Sequence, residues 1–132
     1  MTEKWEAPTI EHGKLTKFNY IVQYPENLKL GKYFDIGTFT YINSKFSVEI
    51  GDNVQIGSHC SIYSNSTIDK KSGPVILKEN CRVGSHSTIM PNVTIGKNSI
   101  IAAHSFVTCD VPPNEVWVGV PAKFKSELKN KD

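Results

Sequence analysis

From Val83 the chain reads VGSHSTIMPNVTIGKNSIIAAHSF, and an aliphatic residue returns at every sixth position: Val83, Ile89, Ile95 and Ile101. The same phase reaches back to Leu77 and on to Val107. Two earlier blocks carry it: Leu30, Ile36 and Ile42, with Val48 open as a continuation, then Ile50, Ile56, Ile62 and Ile68. A helix repeats every 3.6 residues and a strand every second one, so neither explains a period of six. Two further positions follow the beat. The residue after each aliphatic is small (Gly31, Gly37, Gly51, Gly57, Gly84, Gly96, Ala102), and so is the fourth after it (Thr40, Cys60, Ser66, Cys81, Ser87, Ser99, Ser105).

A chain that turns after each short strand, three times per circuit, accounts for all three positions. The aliphatic points into a narrow triangular prism, the second inward position has to be small, and glycine gives the turn its backbone freedom. Three hexapeptides make one coil, and coils stack at strand spacing, about 4.8 Å. The expected fold is therefore an all-β parallel β-helix with ladders along three flat faces. Between Ile68 and Leu77 nine residues replace six, which reads as a three-residue loop insertion around Lys70 to Gly73. Residues 1–29 lack the period and read as an N-terminal cap, with Trp5, Phe18, Tyr20 and Tyr24 covering the first coil. The β-helix is expected over 30–111. Pro112-Pro113 should end the prism, leaving 112–132 as a closing segment with a short helix from Lys123.

Composition narrows the class. The 132 residues make one domain, and 39% hydrophobic content suits a thin core or one completed by oligomerisation. A formal charge of +2 leaves no electrostatic footprint for nucleic acid. No run is long and apolar enough to span a membrane as a helix, and the polar start MTEKWEAPTIEHGK does not read as a signal peptide. Three cysteines give no disulfide framework, so a reducing, cytoplasmic setting is expected. Cys60 and Cys81 fall at the inward small position, whereas Cys109 lies outside the register.

Candidate chemistry lies with histidine. His59, His86 and His104 each stand three residues after an aliphatic, so each should point outward near a turn. His86 and His104 are one coil apart and should stack on one edge. If the insertion is only three residues, His59 falls on the neighbouring edge, where a second subunit could bring it near His86. Imidazole titrates near neutral pH and suits a general base. The plain alternative for each is an outward polar side chain. Lys123 could equally be one more solvated lysine of the tail, and Asn43 an asparagine making a turn.

The segment TIMPNVTIGKNSIIAAHSFVTCDVPPNEVWVGVPAK resembles the C-terminal half of the hexapeptide-repeat acyltransferases. Their closing steps are matched by Thr108-Cys109-Asp110-Val111-Pro112 and Gly119-Val120-Pro121-Ala122-Lys123. Val83-Gly84-Ser85-His86 and Met90-Pro91-Asn92-Val93-Thr94-Ile95-Gly96 are similar to the unit that carries the catalytic histidine in the sugar acetyltransferase branch. The resemblance implies a left-handed coil and a homotrimer with sites between subunits. It also implies transfer of acetyl from acetyl-CoA, without a metal, to an amino or hydroxyl group of a sugar. His86 would be the base. The pantetheine arm would lie along Ala102, Ala103 and Ser105, closed over by Gly119, with Lys123 on a coenzyme A phosphate. Tyr41-Ile42-Asn43 resembles a step whose asparagine binds the sugar, which makes Asn43 a substrate-binding candidate together with His59 and His104. The long loop of the galactoside and maltose enzymes is missing here and their N-terminal helical segment is reduced. A nucleotide-linked deoxyamino sugar for surface polysaccharide is therefore the expected acceptor. Two rival classes share the prism, a non-catalytic scaffold and a zinc hydratase of the γ-carbonic-anhydrase type. The sequence lacks the His-x4-His spacing of the latter.

Overall fold

The computed structural model describes residues 4–129 and shows a parallel β-solenoid of about five turns, consistent with the left-handed β-helix expected. The first face carries Ile21–Gln23, Tyr41–Asn43, Ser61–Tyr63, Thr88–Ile89 and Phe106–Val107. The second carries Leu28–Leu30, Val48–Ile50, Val75–Leu77 and Thr94–Ile95, extended by a bridge from Ile95 to Val111. The third carries Asp35–Ile36, Gln55–Ile56, Arg82–Val83, Ile100–Ile101 and Glu115–Gly119, with Ala122–Glu127 added antiparallel. No helix among the described residues is long and apolar enough to cross a membrane.

The six-residue beat is the stacking register. Ile42 pairs with Ile62, Ile62 with Ile89, and Ile89 with Val107, and all four are fully buried. Burying each such side chain contributes about 1.5–3 kcal/mol. The second inward position is small because the prism corner leaves little room. It also makes a bond. The side chains of Thr40, Cys60 and Ser87 donate to the carbonyls of Gly57, Gly84 and Ala102, each in the coil that follows.

Glycine serves a different end from the one expected. Gly51 and Gly57 lie outside the left-handed region; that conformation falls two residues later, at Asn53 and His59. A Cβ on Gly57 would come within 2.6 Å of the Ser85 nitrogen, and one on Gly51 within 2.9 Å of the Glu79 nitrogen. These glycines let successive coils approach.

Three other expectations are corrected. The insertion is nine residues long: Ile62 pairs with Ile89, 27 residues on, where an uninterrupted coil takes 18, as from Ile89 to Val107. The extra chain forms a hairpin, Asn65–Ser66 against Lys71–Ser72, and Ile68 stands at its tip, 97% exposed. Its place in the sequence period is coincidental. Pro112-Pro113 does not end the prism, since Glu115–Gly119 pairs in parallel with Ile100–Ile101. The expected helix from Lys123 is absent over Ala122–Glu127, where a strand folds back on Glu115–Gly119; residues 130–132 of that expectation lie outside the described residues. At the other end the solenoid begins at Ile21. Trp5 covers the first coil, donating its indole N–H to the Phe34 carbonyl at 3.0 Å, with the rings 5.2 Å apart. Tyr20 is buried beside it, whereas Phe18 is 44% exposed.

Candidate functional site

The edge where the third face turns into the first places one residue per coil in the left-handed conformation: Asn19, Phe39, His59, His86 and His104. Each corner is pinned to the coil before it. The backbone N–H groups of Phe39, His59, His86 and His104 donate to the carbonyls of Asn19, Thr38, Ser58 and Ser85 at 2.7–3.0 Å. A left-handed corner turns its side chain outward, so the rings form a column. His59 and His86 stack with centroids 4.8 Å apart, His86 and His104 at 4.9 Å, both 6° from parallel, and Phe39 leans on His59 at 5.5 Å.

His59 therefore shares the edge with His86 and does not sit on the neighbouring one. The cause is the nine-residue hairpin, which lies outside the coil and leaves its three-sided count intact. With the insertion counted as nine, the sequence itself would have placed His59 under His86. The plane of the His86 imidazole is fixed by its two neighbours.

Behind the column lies a dry wall. Cys60 is buried, and burial raises its thiol pKa, while the nearby Ser87 and His86 backbone groups pull the other way. Burial pushes the Cys81 thiol up to about 12. Both stay protonated near neutral pH, which suits inert packing groups rather than nucleophiles. Cys109 is exposed.

Beside the column an open groove of about 410 Å³ runs along the third face. Asp35 lies at its N-terminal end, Gln55, Arg82 and Gly84 along it, and Ala102 and Ala103 at its C-terminal end. Ser105 is buried, 2% exposed, and serves the corner. Its hydroxyl donates to the Ala102 carbonyl at 2.7 Å and accepts the Gly119 N–H at 3.1 Å, while its own N–H bonds the Ser87 hydroxyl. It thereby holds the closing hairpin against the His104 corner. Lys123, exposed, is paired with Val118 in that hairpin. The structure thus gathers His86, His104, His59, Ala102, Ala103, Ser105 and Gly119 around one edge.

Asn43 is not among them. It lies at the far end of its strand, 8% exposed. Its amide donates to Gln23 and to the Tyr41 hydroxyl, and its side-chain oxygen accepts the Lys45 N–H at 3.1 Å. That is the turn-making role of asparagine. Among the described residues no three His, Cys, Asp or Glu side chains gather as metal ligands. Parallel stacked imidazoles point their nitrogens alongside one another, not at a common centre.

The repeat and the fold have counterparts among known proteins. Residues 74–109 match the family model described as bacterial transferase hexapeptide (six repeats). Galactoside O-acetyltransferase of Escherichia coli is 36% identical over 120 residues, covering 83% of this chain and 58% of that protein. The chain thus spans little more than half the length of the curated relatives it matches. Among solved structures, a maltose O-acetyltransferase from Clostridium difficile superposes with a TM-score of 0.78 at 30% identity, covering 85% of this chain and 65% of that one. A variant of the N-acyltransferase AntD from Bacillus cereus, in complex with dTDP-4-amino-4,6-dideoxyglucose and coenzyme A, has a TM-score of 0.60 at 26% identity, covering 86% and 72%.

Proposed function

Since the chain belongs to the hexapeptide-repeat acyltransferase superfamily, we propose that it is an acetyl-CoA-dependent acetyltransferase acting on an amino or hydroxyl group of a sugar. The observation that carries this reading is His86, held between two parallel imidazoles beside a groove that ends at Ala102 and Ala103. In this reading acetyl-CoA lies along the C-terminal coils, with its pantetheine arm at Ala102 and Ala103. Ser105 and Gly119 hold the wall of that channel, and Lys123 meets a coenzyme A phosphate. The acceptor enters beside His59 and His86.

His86 removes the proton from the attacking hydroxyl or amine as the new bond forms to the thioester carbonyl. The backbone N–H of Ser85, Ser87 or Ala103 steadies the oxyanion, the His86 N–H being taken by Ser58. Collapse of the tetrahedral intermediate expels the coenzyme A thiolate, which takes the proton back from His86. Cys60 and Cys81 do not enter, because both are buried with raised pKa values.

The finer reading is a nucleotide-linked deoxyamino sugar as acceptor, acetylated by a cytoplasmic homotrimer whose neighbouring subunit closes the histidine edge. The AntD complex supports the acceptor class by likeness. Half-buried apolar side chains on the outer faces, Ile76, Ile100 and Phe106, support an oligomer. The test is a mass-spectrometric screen with acetyl-CoA, a panel of nucleotide-linked amino sugars and simple galactosides, run beside His86→Ala. A product about 42 Da heavier, acetyl in place of a hydrogen, that is lost in the variant supports the reading. Product retained in His86→Ala sinks His86 as the base.

A further inference from the structure

A second cavity, about 580 Å³, opens at the N-terminal end of the prism, and nothing in the acetyl-transfer reading uses it. Its size falls in the range of small-molecule sites, roughly 300–1,000 Å³. Trp5, Phe18, Tyr20 and Phe34 supply aromatic walls, and Lys4 and Lys17 stand among its lining residues. Lys17 meets Glu6 at 3.5 Å, with both side chains well exposed.

One detail marks the cavity as more than a packing gap. The Tyr20 hydroxyl is buried and has no hydrogen-bond partner among the described residues, although the residue lines the cavity and is only 2% exposed. An unmet buried donor costs about 1–3 kcal/mol, so a site that retains one has an acceptor missing. Burial also raises the Tyr20 pKa to about 12, so the hydroxyl keeps its proton and offers it as a donor.

The cavity is joined to the histidine edge. Asn19, between Phe18 and Tyr20, accepts the Phe39 N–H at 2.7 Å and occupies the same left-handed corner column. Below it Phe39, His59 and His86 follow at ring spacings of 5.5 and 4.8 Å, so His86 lies about 10 Å from Phe39 along the column. Asp35 lines both this cavity and the groove that leads to Ala102 and Ala103.

We propose that the N-terminal cavity binds the nucleoside diphosphate end of the acceptor, so that its sugar hangs down the edge to His86. This rests on the nucleotide-sugar reading above and names the site for it. The planar base packs among Trp5, Phe18 and Phe34. A base carbonyl accepts the Tyr20 hydroxyl once the base displaces the side chains that cover it. The diphosphate draws Lys17 from Glu6 and takes Lys4 as well. The Asn19 corner lies three coils above His86, about 14 Å, the distance the pyrophosphate and sugar have to span. Acetyl-CoA then enters from the opposite, C-terminal end, and the two substrates meet at His86 without crossing.

The full chain has two tryptophans, so Trp117→Phe leaves Trp5 as the sole indole reporter. Titrating this protein with dTDP and with UDP should quench Trp5 emission saturably for at least one of them. Tyr20→Phe and Lys17→Ala should each raise the Kd about fivefold or more. Tyr20→Phe removes an unmet donor and should fold at least as well as the parent, so weaker binding cannot be laid to unfolding. No saturable quenching by either nucleotide, or binding unchanged by Tyr20→Phe, overturns the proposal; a water satisfying the hydroxyl would give that second result. Acetyl-CoA binding, followed separately, should be unaffected by both variants. Acetylation of a plain galactoside without nucleotide binding would remove this inference and leave the acetyltransferase standing. Nucleotide binding without any acetyl transfer would do the reverse.

Discussion

Two edges of the same prism share a backbone and differ in side chain. Where the second face turns into the third, the left-handed corners are Tyr33, Asn53, Asn80, Asn98 and Asn114. Their N–H groups bond the preceding coil just as the histidines do: Asn53 to Lys32, Asn80 to Asp52, Asn98 to Glu79 and Asn114 to Lys97. Asparagine tolerates this conformation well, and its amides can link coil to coil, as Asn98 does to Asn114 at 2.8 Å. That edge is what the fold asks for. The edge between the third face and the first puts Phe39, His59, His86 and His104 in the same geometry, and a bulky ring gains nothing for the backbone there. In the function proposed above, the difference separates residues that serve the coil from residues that serve chemistry.

The comparison breaks most visibly if the histidine edge is rewritten as an asparagine edge. Replacing His59, His86 and His104 together by Asn should cut acetyl transfer about 10²–10⁴-fold. The melting midpoint should hold or rise. Loss of folding instead would mean that the ring stack is structural.

The register beneath the stack comes next in size. Ile89→Ala opens the fully buried position that pairs with Ile62 across the hairpin, and should cost about 2–5 kcal/mol in urea unfolding. Ile68→Ala, at the exposed tip, should stay within about 0.5 kcal/mol. Equal losses would restore the sequence phase and move His59 off the edge.

On the structural edge, Asn80→Val forces a β-branched residue into the left-handed region and should cost about 1–2 kcal/mol. Activity at the His86 edge should be unchanged. A matching loss of activity would show that the edges are not independent.

The smallest effect is one of pH. The native fold holds the Cys81 proton up to about 12, against 9.0 for a free thiol. The unfolded chain therefore releases that proton first, and stability falls as pH rises above about 9, by at most about 1.4 kcal/mol per unit. Below pH 9 both states are protonated and the contribution is flat. Urea unfolding at pH 8 and pH 10 should show this slope in the native sequence and a shallower one in Cys81→Ala.

Much of this was legible in the chain because one physical constraint repeats. A prism with room for one aliphatic and one small residue per side writes a period that survives in Ile36, Ile42, Val83 and Ile101. What was lost lies where that constraint lapses. The hairpin tip is free of the prism, so Ile68 could fall on the beat by chance and hide the true register of His59. The tail from Lys123 reads as lysine-rich and helical, but its conformation is set by pairing with Glu115–Gly119, which local composition does not encode. The Tyr20 cavity depends on contacts between Trp5 and Phe34 that no spacing announces.

The most direct test is His86→Asn alone, with coenzyme A release from acetyl-CoA measured in the presence of the acceptor found by the mass-spectrometric screen. The account predicts a fall of about 10²–10⁴-fold in kcat with an unchanged melting midpoint. A rate near that of the parent would contradict it, and would make the histidine edge a second asparagine edge in other letters.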